Sequence, residues 1–133
     1  MSESDFTRQA IKRLLRAWRG EVEAGYVYQV LSEREPDPDR SEILTKIAAA
    51  EGAHRRRIEK RLTELSVAVP DPSSVRISLW LRLQARVAPI ELMLRAREAA
   101  EDDEVLGLYG KATGDPGTDD VLASIRHEER SHA

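Results

Sequence analysis

The chain has 133 residues, a formal net charge of −3 and no cysteine, and 41% of its residues are hydrophobic. This length suits one domain with a real core, and the acidic balance argues against a nucleic-acid-binding surface. Disulfides, thiolate zinc sites and iron–sulfur clusters are excluded without cysteine, and no apolar run is long enough to span a membrane.

The first half of the sequence predicts two helices, at about 6–34 and 38–66. Apolar residues recur at steps of three and four in both helices, and the proline-containing segments at 35–39 and 69–74 end them. The predicted core stripes are Ile11, Leu14, Trp18, Glu21, Gly25 and Tyr28 in the first helix, and Ile43, Ile47, Glu51, His54, Ile58, Leu62 and Leu65 in the second. A carboxylate and an imidazole therefore occupy core positions of the second helix.

The second half predicts a crossover helix at about 74–87, capped by Ser73 or Ser74, and a main helix at about 89–112. A turn at 113–120 then precedes a last helix, capped by Thr118 or Asp119. The predicted stripes are Ile90, Leu94, Arg97, Glu101, Val105 and Leu108 in the main helix, and Leu122, Ile125, Glu129 and His132 in the last. Two short links and one long link predict an all-α four-helix bundle of two antiparallel hairpins with one crossover.

A repeated motif relates the two halves. The segments IAAAEGAH at 47–54 and IRHEERSH at 125–132 both read Ile-x-x-x-Glu-x-x-His, and each follows a helix that has a glutamate in its stripe. Glu21 and Glu101 are 80 residues apart, and Glu51 and Glu129 are 78 residues apart. These offsets indicate an internal repeat of one helical hairpin.

The spacing of the motif predicts a two-metal site. Residues three apart lie on one helix face, so a Glu-x-x-His pair can bind one ion from one helix. We expect Glu51 and Glu129 to bridge two ions, whose charge would compensate the buried carboxylates, and carboxylate with imidazole suits iron or manganese. The alternative is a buried Glu–His ion pair in each half. The predicted ligands are Glu21, Glu51, His54, Glu101, Glu129 and His132.

These residues resemble the ferritin-like di-metal carboxylate superfamily over essentially the whole chain. The closest likeness is to rubrerythrin-type domains, especially the N-terminal ferritin-like domain of bacterial vacuolar iron transporter family proteins (membrane-bound ferritins). The segments that carry it are EVEAGYVY at 21–28, EGAH at 51–54, EDDEVLGLY at 101–109 and ERSH at 129–132. The resemblance implies a cofactor of two iron ions, oxidation of Fe(II) by oxygen or peroxide, and Glu104 as an additional, switchable ligand.

Three assignments at the site stay open. An outward-facing Glu104 is the equal alternative to a ligand, and Glu128 lies within reach of the stripe as a replacement for Glu129. Tyr28 and Tyr109 either pack in the core with their hydroxyl groups on ligand carboxylates or act as second-shell or radical-quenching groups. The predicted catalytic residues are Glu51, Glu129 and Tyr28.

The surroundings of the domain are also predicted. The segment 75–90 is apolar nearly all round, which predicts a homodimer interface through 75–94, with contact to a membrane surface as the alternative. The abrupt end at Ala133 predicts a domain cut from a longer protein, and the resemblance implies a C-terminal membrane transporter domain. We expect a cytoplasmic location, at the face of a membrane when the domain is part of such a chain.

The predicted function is that of a ferroxidase in iron storage, detoxification or export. One alternative is a non-catalytic iron-sensing or delivery domain that regulates an attached transporter. The other is a peroxide reductase, but rubrerythrins usually carry a cysteine-ligated iron centre, and the chain has no cysteine.

Overall fold

The computed structural model describes residues 3–107 and 113–131, with the side chains of residues 4–101 and 113–128. This part of the chain forms five α-helices and no β-strand. The helices are α1 (Glu3–Arg34), α2 (Pro38–Glu64), α3 (Leu79–Val87), α4 (Ile90–Gly107) and α5 (Pro116–Ser131). The predicted fold class is confirmed: α1, α2, α4 and α5 are the bundle helices, and α3 lies in the long connection between the two hairpins.

The crossover helix α3 starts later than predicted. It begins at Leu79, and the Ser78 hydroxyl caps it by accepting a hydrogen bond from the Leu81 backbone N–H at 3.0 Å. Ser73 and Ser74, the predicted caps, belong instead to a separate short 3₁₀ turn. The prediction was wrong because any serine before an apolar run has the same local signature, and backbone geometry decides which one caps.

Helix α5 also starts at a different residue. It begins at Pro116, a favourable first position, and Asp115 accepts hydrogen bonds from the backbone N–H (3.3 Å) and the hydroxyl of Thr118. Arg61 of α2 donates to the same carboxylate oxygen at 2.6 Å. Burial opposes ionisation of Asp115, but the hydrogen bonds from Arg61 and Thr118 outweigh it and lower the pKa of the carboxyl. The predicted caps Thr118 and Asp119 therefore lie inside the helix.

Two apolar clusters fill the interior. One consists of Leu14, Ala17, Trp18, Ile58, Leu62, Leu122 and Ile125. The other consists of Ala24, Val27, Tyr28, Val30, Leu31, Leu44, Ala85 and Met93.

One predicted core residue is wrong. Ile43 is 58% exposed, and its neighbour Leu44 is buried instead. Leu44 precedes Glu51 by seven residues and lies about 20° from it around the helix, whereas Ile43 precedes it by eight and lies about 80° away. A predicted stripe built from repeated spacings of four residues therefore drifts around the helix, and its first member no longer lies on the buried face.

The inner side of α3 is fixed to α1, and its outer side is apolar. Arg34 of α1 donates hydrogen bonds to the carbonyl oxygens of Ala85 and Ala88, and the Arg82 guanidinium lies 5.9 Å from the centre of the Tyr26 ring. The large apolar side chains exposed on α3 are Leu79, Trp80, Leu83 and Val87, and Leu92 is exposed near the start of α4. The homodimer through 75–94 stays a prediction. None of the helices in the described ranges is both long and apolar enough to cross a membrane.

Replacing Asp115 with alanine is expected to lower the free energy of unfolding by about 1–2 kcal/mol, since the N-cap of α5 and the partner of Arg61 are lost together. Because folding lowers the Asp115 pKa, its contribution is present above the unfolded-state pKa of about 4 and is lost as the pH falls through the folded-state value. Urea unfolding followed by circular dichroism at several pH values measures both effects. The matched control is Asp120→Ala, at an exposed position of the same helix. Equal stability of the two variants would contradict the assigned cap.

Candidate metal centre

Three polar side chains meet between the two apolar clusters. Glu21 comes from α1, and Glu51 and His54 come from α2; these residues are 2%, 1% and 0% exposed. One ligand atom from each lies within 4.8 Å of the others. The helical spacing thus brings together three of the residues that the sequence predicts as ligands.

The donor set fits a divalent metal ion. At 4.8 Å and an effective dielectric constant of about 20, two ionised carboxylates repel by roughly 3–4 kcal/mol, which a divalent cation between them would reverse. His54 Nδ1 lies 3.6 Å from Glu21 Oε2, a separation that two ligands about 2 Å from one ion can span. Carboxylate and imidazole together suit iron or manganese.

The other nitrogen of His54 faces α5. His54 Nε2 lies 2.7 Å from Glu128 Oε2. Glu128 also accepts from Arg57, which donates to the Ser124 hydroxyl at 2.7 Å. The pKa of Glu128 is lowered, chiefly by the hydrogen bond from Arg57 and further by the hydrogen bond from His54.

This contact fixes the tautomer of His54. An ionised carboxylate only accepts hydrogen bonds, so His54 Nε2 carries the proton and donates it to Glu128. In the neutral imidazole the Nδ1 lone pair is then free of a proton on the side that faces Glu21, which is the form that binds a metal. Glu128 is thus a positioning residue for His54, in the manner of the carboxylate–histidine–metal arrangements of known metal sites.

Tyr28 connects α1 to α4. Its hydroxyl donates to Glu101 Oε1 at 2.9 Å. Burial raises the pKa of Tyr28 most, the Glu101 carboxylate raises it further, and the charge of Arg97 lowers it in part. Tyr28 therefore keeps its proton at neutral pH and holds Glu101, which lies outside the three-residue cluster in this structure. Its predicted catalytic role stays a prediction.

Arg97 is a buried cation one turn before Glu101. Its side chain is 7% exposed, and it is the single buried arginine or lysine among the described side chains. Its Nε and Nη2 atoms have no hydrogen-bond partner within that part of the chain. The predicted α4 stripe contains Arg97, but the sequence analysis gave it no role.

Comparison with known proteins agrees with this geometry. A family model described as Rubrerythrin matches residues 12–133. The chain belongs to the rubrerythrin family. No curated protein and no solved structure matches the chain. Rubrerythrin domains typically bind iron, and the Glu21–Glu51–His54 cluster provides suitable ligands in this member of the family.

Four predicted site residues of this rubrerythrin-family domain have side chains outside the described part of the chain. The side chains of Glu104 and Glu129 lie outside the described side chains, and His132 and Tyr109 lie outside the described residues. The role of Glu128 was missed, although the sequence carried a signal. Glu128 immediately precedes the glutamate of a Glu-x-x-His motif and so lies about 100° around α5, towards a neighbouring helix.

A surface groove between α1 and α2 reaches the cluster. Glu21 forms part of its lining, together with small residues of both helices, although the Glu21 side chain itself is buried. These small residues are Gly25, Ala48, Ala49 and Gly52.

Replacing Glu128 with glutamine is expected to weaken metal binding by about 10- to 100-fold, as loss of a hydrogen-bonding partner of a metal ligand does elsewhere. The amide keeps the shape of the side chain but loses the charge that orients His54 and pairs with Arg57. Competition of Co(II) between the protein and a chelator measures the change. His127→Gln, at the exposed position next to it, is the control. Unchanged affinity in a folded E128Q protein would rule out the positioning role.

Proposed function

We propose that this rubrerythrin-family domain binds two iron ions and oxidises Fe(II) with oxygen or peroxide. The observation that carries the proposal is the buried Glu21–Glu51–His54 cluster, whose donor atoms lie within 4.8 Å of one another. Iron storage, detoxification or export is the process that such a ferroxidase would serve.

In this proposal the residues of the repeat share the two ions. The first position is formed by Glu21, Glu51 and His54, and the second by Glu101 and the second Glu-x-x-His motif. The full set of proposed ligands is Glu21, Glu51, His54, Glu101, Glu104, Glu129 and His132. Two Fe(II) ions held by these residues would supply two electrons, the number that, with two protons, reduces one hydrogen peroxide to two waters.

The protein contributes position, exclusion of water and a route for the substrate. Glu128 fixes the imidazole of His54, and Tyr28 holds the carboxylate of Glu101. The two apolar clusters flank the site and limit the access of water. We propose the groove that Glu21 partly lines as the path for Fe(II), because the buried carboxylate of Glu21 behind it attracts a cation.

Two other functions remain as proposals. An iron-sensing or delivery domain would bind Fe(II) at the same residues without turnover, and a peroxide reductase would need an external electron donor. The relationship to domains of vacuolar iron transporters and the cytoplasmic location stay predictions from the sequence.

Replacing Glu51 with glutamine is expected to abolish retention of iron and to slow Fe(II) oxidation by more than roughly tenfold, the lower bound seen when only the partner of a metal ligand is lost. Glu51 is buried and is the proposed bridge, so the neutral amide removes charge from both positions. Anaerobic Fe(II) loading and desalting give the iron content. Mixing with oxygen or with peroxide, followed by the absorbance of Fe(III), gives the rate.

The matched control is Glu42→Gln, a largely exposed glutamate on the same helix. It should retain iron and oxidise Fe(II) as the wild type does. Wild-type protein that retains no iron would refute the proposed site. Iron retained without catalytic oxidation would favour the sensing function, and peroxide loss that depends on an added donor would favour the reductase.

A further inference from the structure

We infer that the two metal positions are unequal: the Glu21–Glu51–His54 position takes the first divalent cation, and Arg97 weakens binding of the second cation beside Glu101. The inference rests on the proposed function, because the second position is part of that proposal. It adds an order of filling and names the residue that sets it.

The first position is already arranged for a cation. Its three donors are buried and lie within 4.8 Å of one another, so little rearrangement is needed when an ion binds. Glu128 holds His54 with Nδ1 towards Glu21. An ionised carboxylate that accepts the proton of the imidazole also makes its other nitrogen a stronger ligand.

The repeat does not reproduce this support in the second half. Glu128 is the residue before Glu129, and the equivalent residue before Glu51 is Ala50. An alanine side chain has no group that can accept a hydrogen bond from His132. The repeat therefore provides no carboxylate on α2 at the position equivalent to Glu128.

Arg97 is the second difference between the two halves, and it places a positive charge in the second half. It lies four residues before Glu101, and the position four residues before Glu21 is Ala17, which is buried in an apolar cluster. The Arg97 side chain is 93% buried, since 7% of it is exposed, and its Nε and Nη2 atoms make no hydrogen bond within the described side chains. A guanidinium stays charged in proteins, so this part of the interior carries a permanent positive charge.

The charge of Arg97 acts on the surroundings of Glu101. It influences the hydroxyl of Tyr28, which is itself hydrogen-bonded to Glu101. Screening is weak in a buried site, so a cation that binds beside Glu101 is repelled by Arg97. Arg97 also compensates part of the negative charge of the carboxylates before any metal binds, which leaves less to gain from a second ion.

Anaerobic titration of the metal-free chain with Co(II), followed by calorimetry and visible absorption, tests the inference. In the wild type we expect two steps that differ in affinity by at least about tenfold, the effect of one charge at a few ångströms and moderate dielectric constant. Arg97→Met should tighten the second step by at least about tenfold and leave the first unchanged. Arg97→Lys, which keeps the charge, should retain the wild-type difference.

The matched control is Arg95→Met, at an exposed position of the same helix, which should leave both steps unchanged. If R97M does not fold, Ala50→Glu replaces it, because a carboxylate before Glu51 should strengthen the second step as Glu128 supports the first. Two equal steps in the wild type would overturn the inference, and so would an unchanged difference in folded R97M, or in A50E where that variant is used. Absence of any binding to the wild type would instead refute the proposed function.

Discussion

The burial of Glu21, Glu51 and His54 between two apolar clusters is the constraint on which the rest of the structure depends. Like-charged carboxylates in a poorly screened interior are unfavourable without compensating positive charge. The clusters on either side of the site stabilise the bundle, and they also remove the water that would solvate these groups. Binding of a cation at this centre, as proposed, would therefore also stabilise the fold, as it does in other metal-binding domains.

The polar contacts around the site follow from this constraint. The two ring nitrogens of His54 face different groups: Nδ1 faces Glu21 and Nε2 faces Glu128. Glu128 is partly exposed and pairs with Arg57, so the hydrogen-bonded chain leads from the buried centre to the surface. On the α4 side, Tyr28 and Glu101 form the corresponding contact, but a phenol keeps its proton there and a buried arginine lies close by. The two sides therefore present different electrostatic surroundings to a bound ion.

Helical periodicity predicted the larger features because burial of an apolar stripe repeats along every bundle helix. It gave the hairpin order and the cluster of Glu21, Glu51 and His54, which lie on stripes that face each other. It failed at Ile43 because steps of four do not match the helical repeat of about 3.6 residues, and Leu44 is buried instead. It failed at the cap of α5 because Asp115 caps that helix with help from Arg61, a residue that is distant in sequence. The position of Glu128 against His54 depends in the same way on how α5 packs against α2.

The repeat in the sequence suggests a symmetric site, but its departures from symmetry are the more informative feature. The halves share the glutamate and the Glu-x-x-His motif, and they differ at Ala17 against Arg97 and at Ala50 against Glu128. The carboxylate of Glu128 supports a cation at the first position, and the positive charge of Arg97 opposes a cation at the second. A site with one firmly held ion and one weakly held ion would suit the proposed ferroxidase, in which iron is both a bound cofactor and a substrate, since the second ion must be able to leave. On this view Arg97 separates a position that retains metal from a position that exchanges it, within a fold whose two halves would otherwise be equivalent.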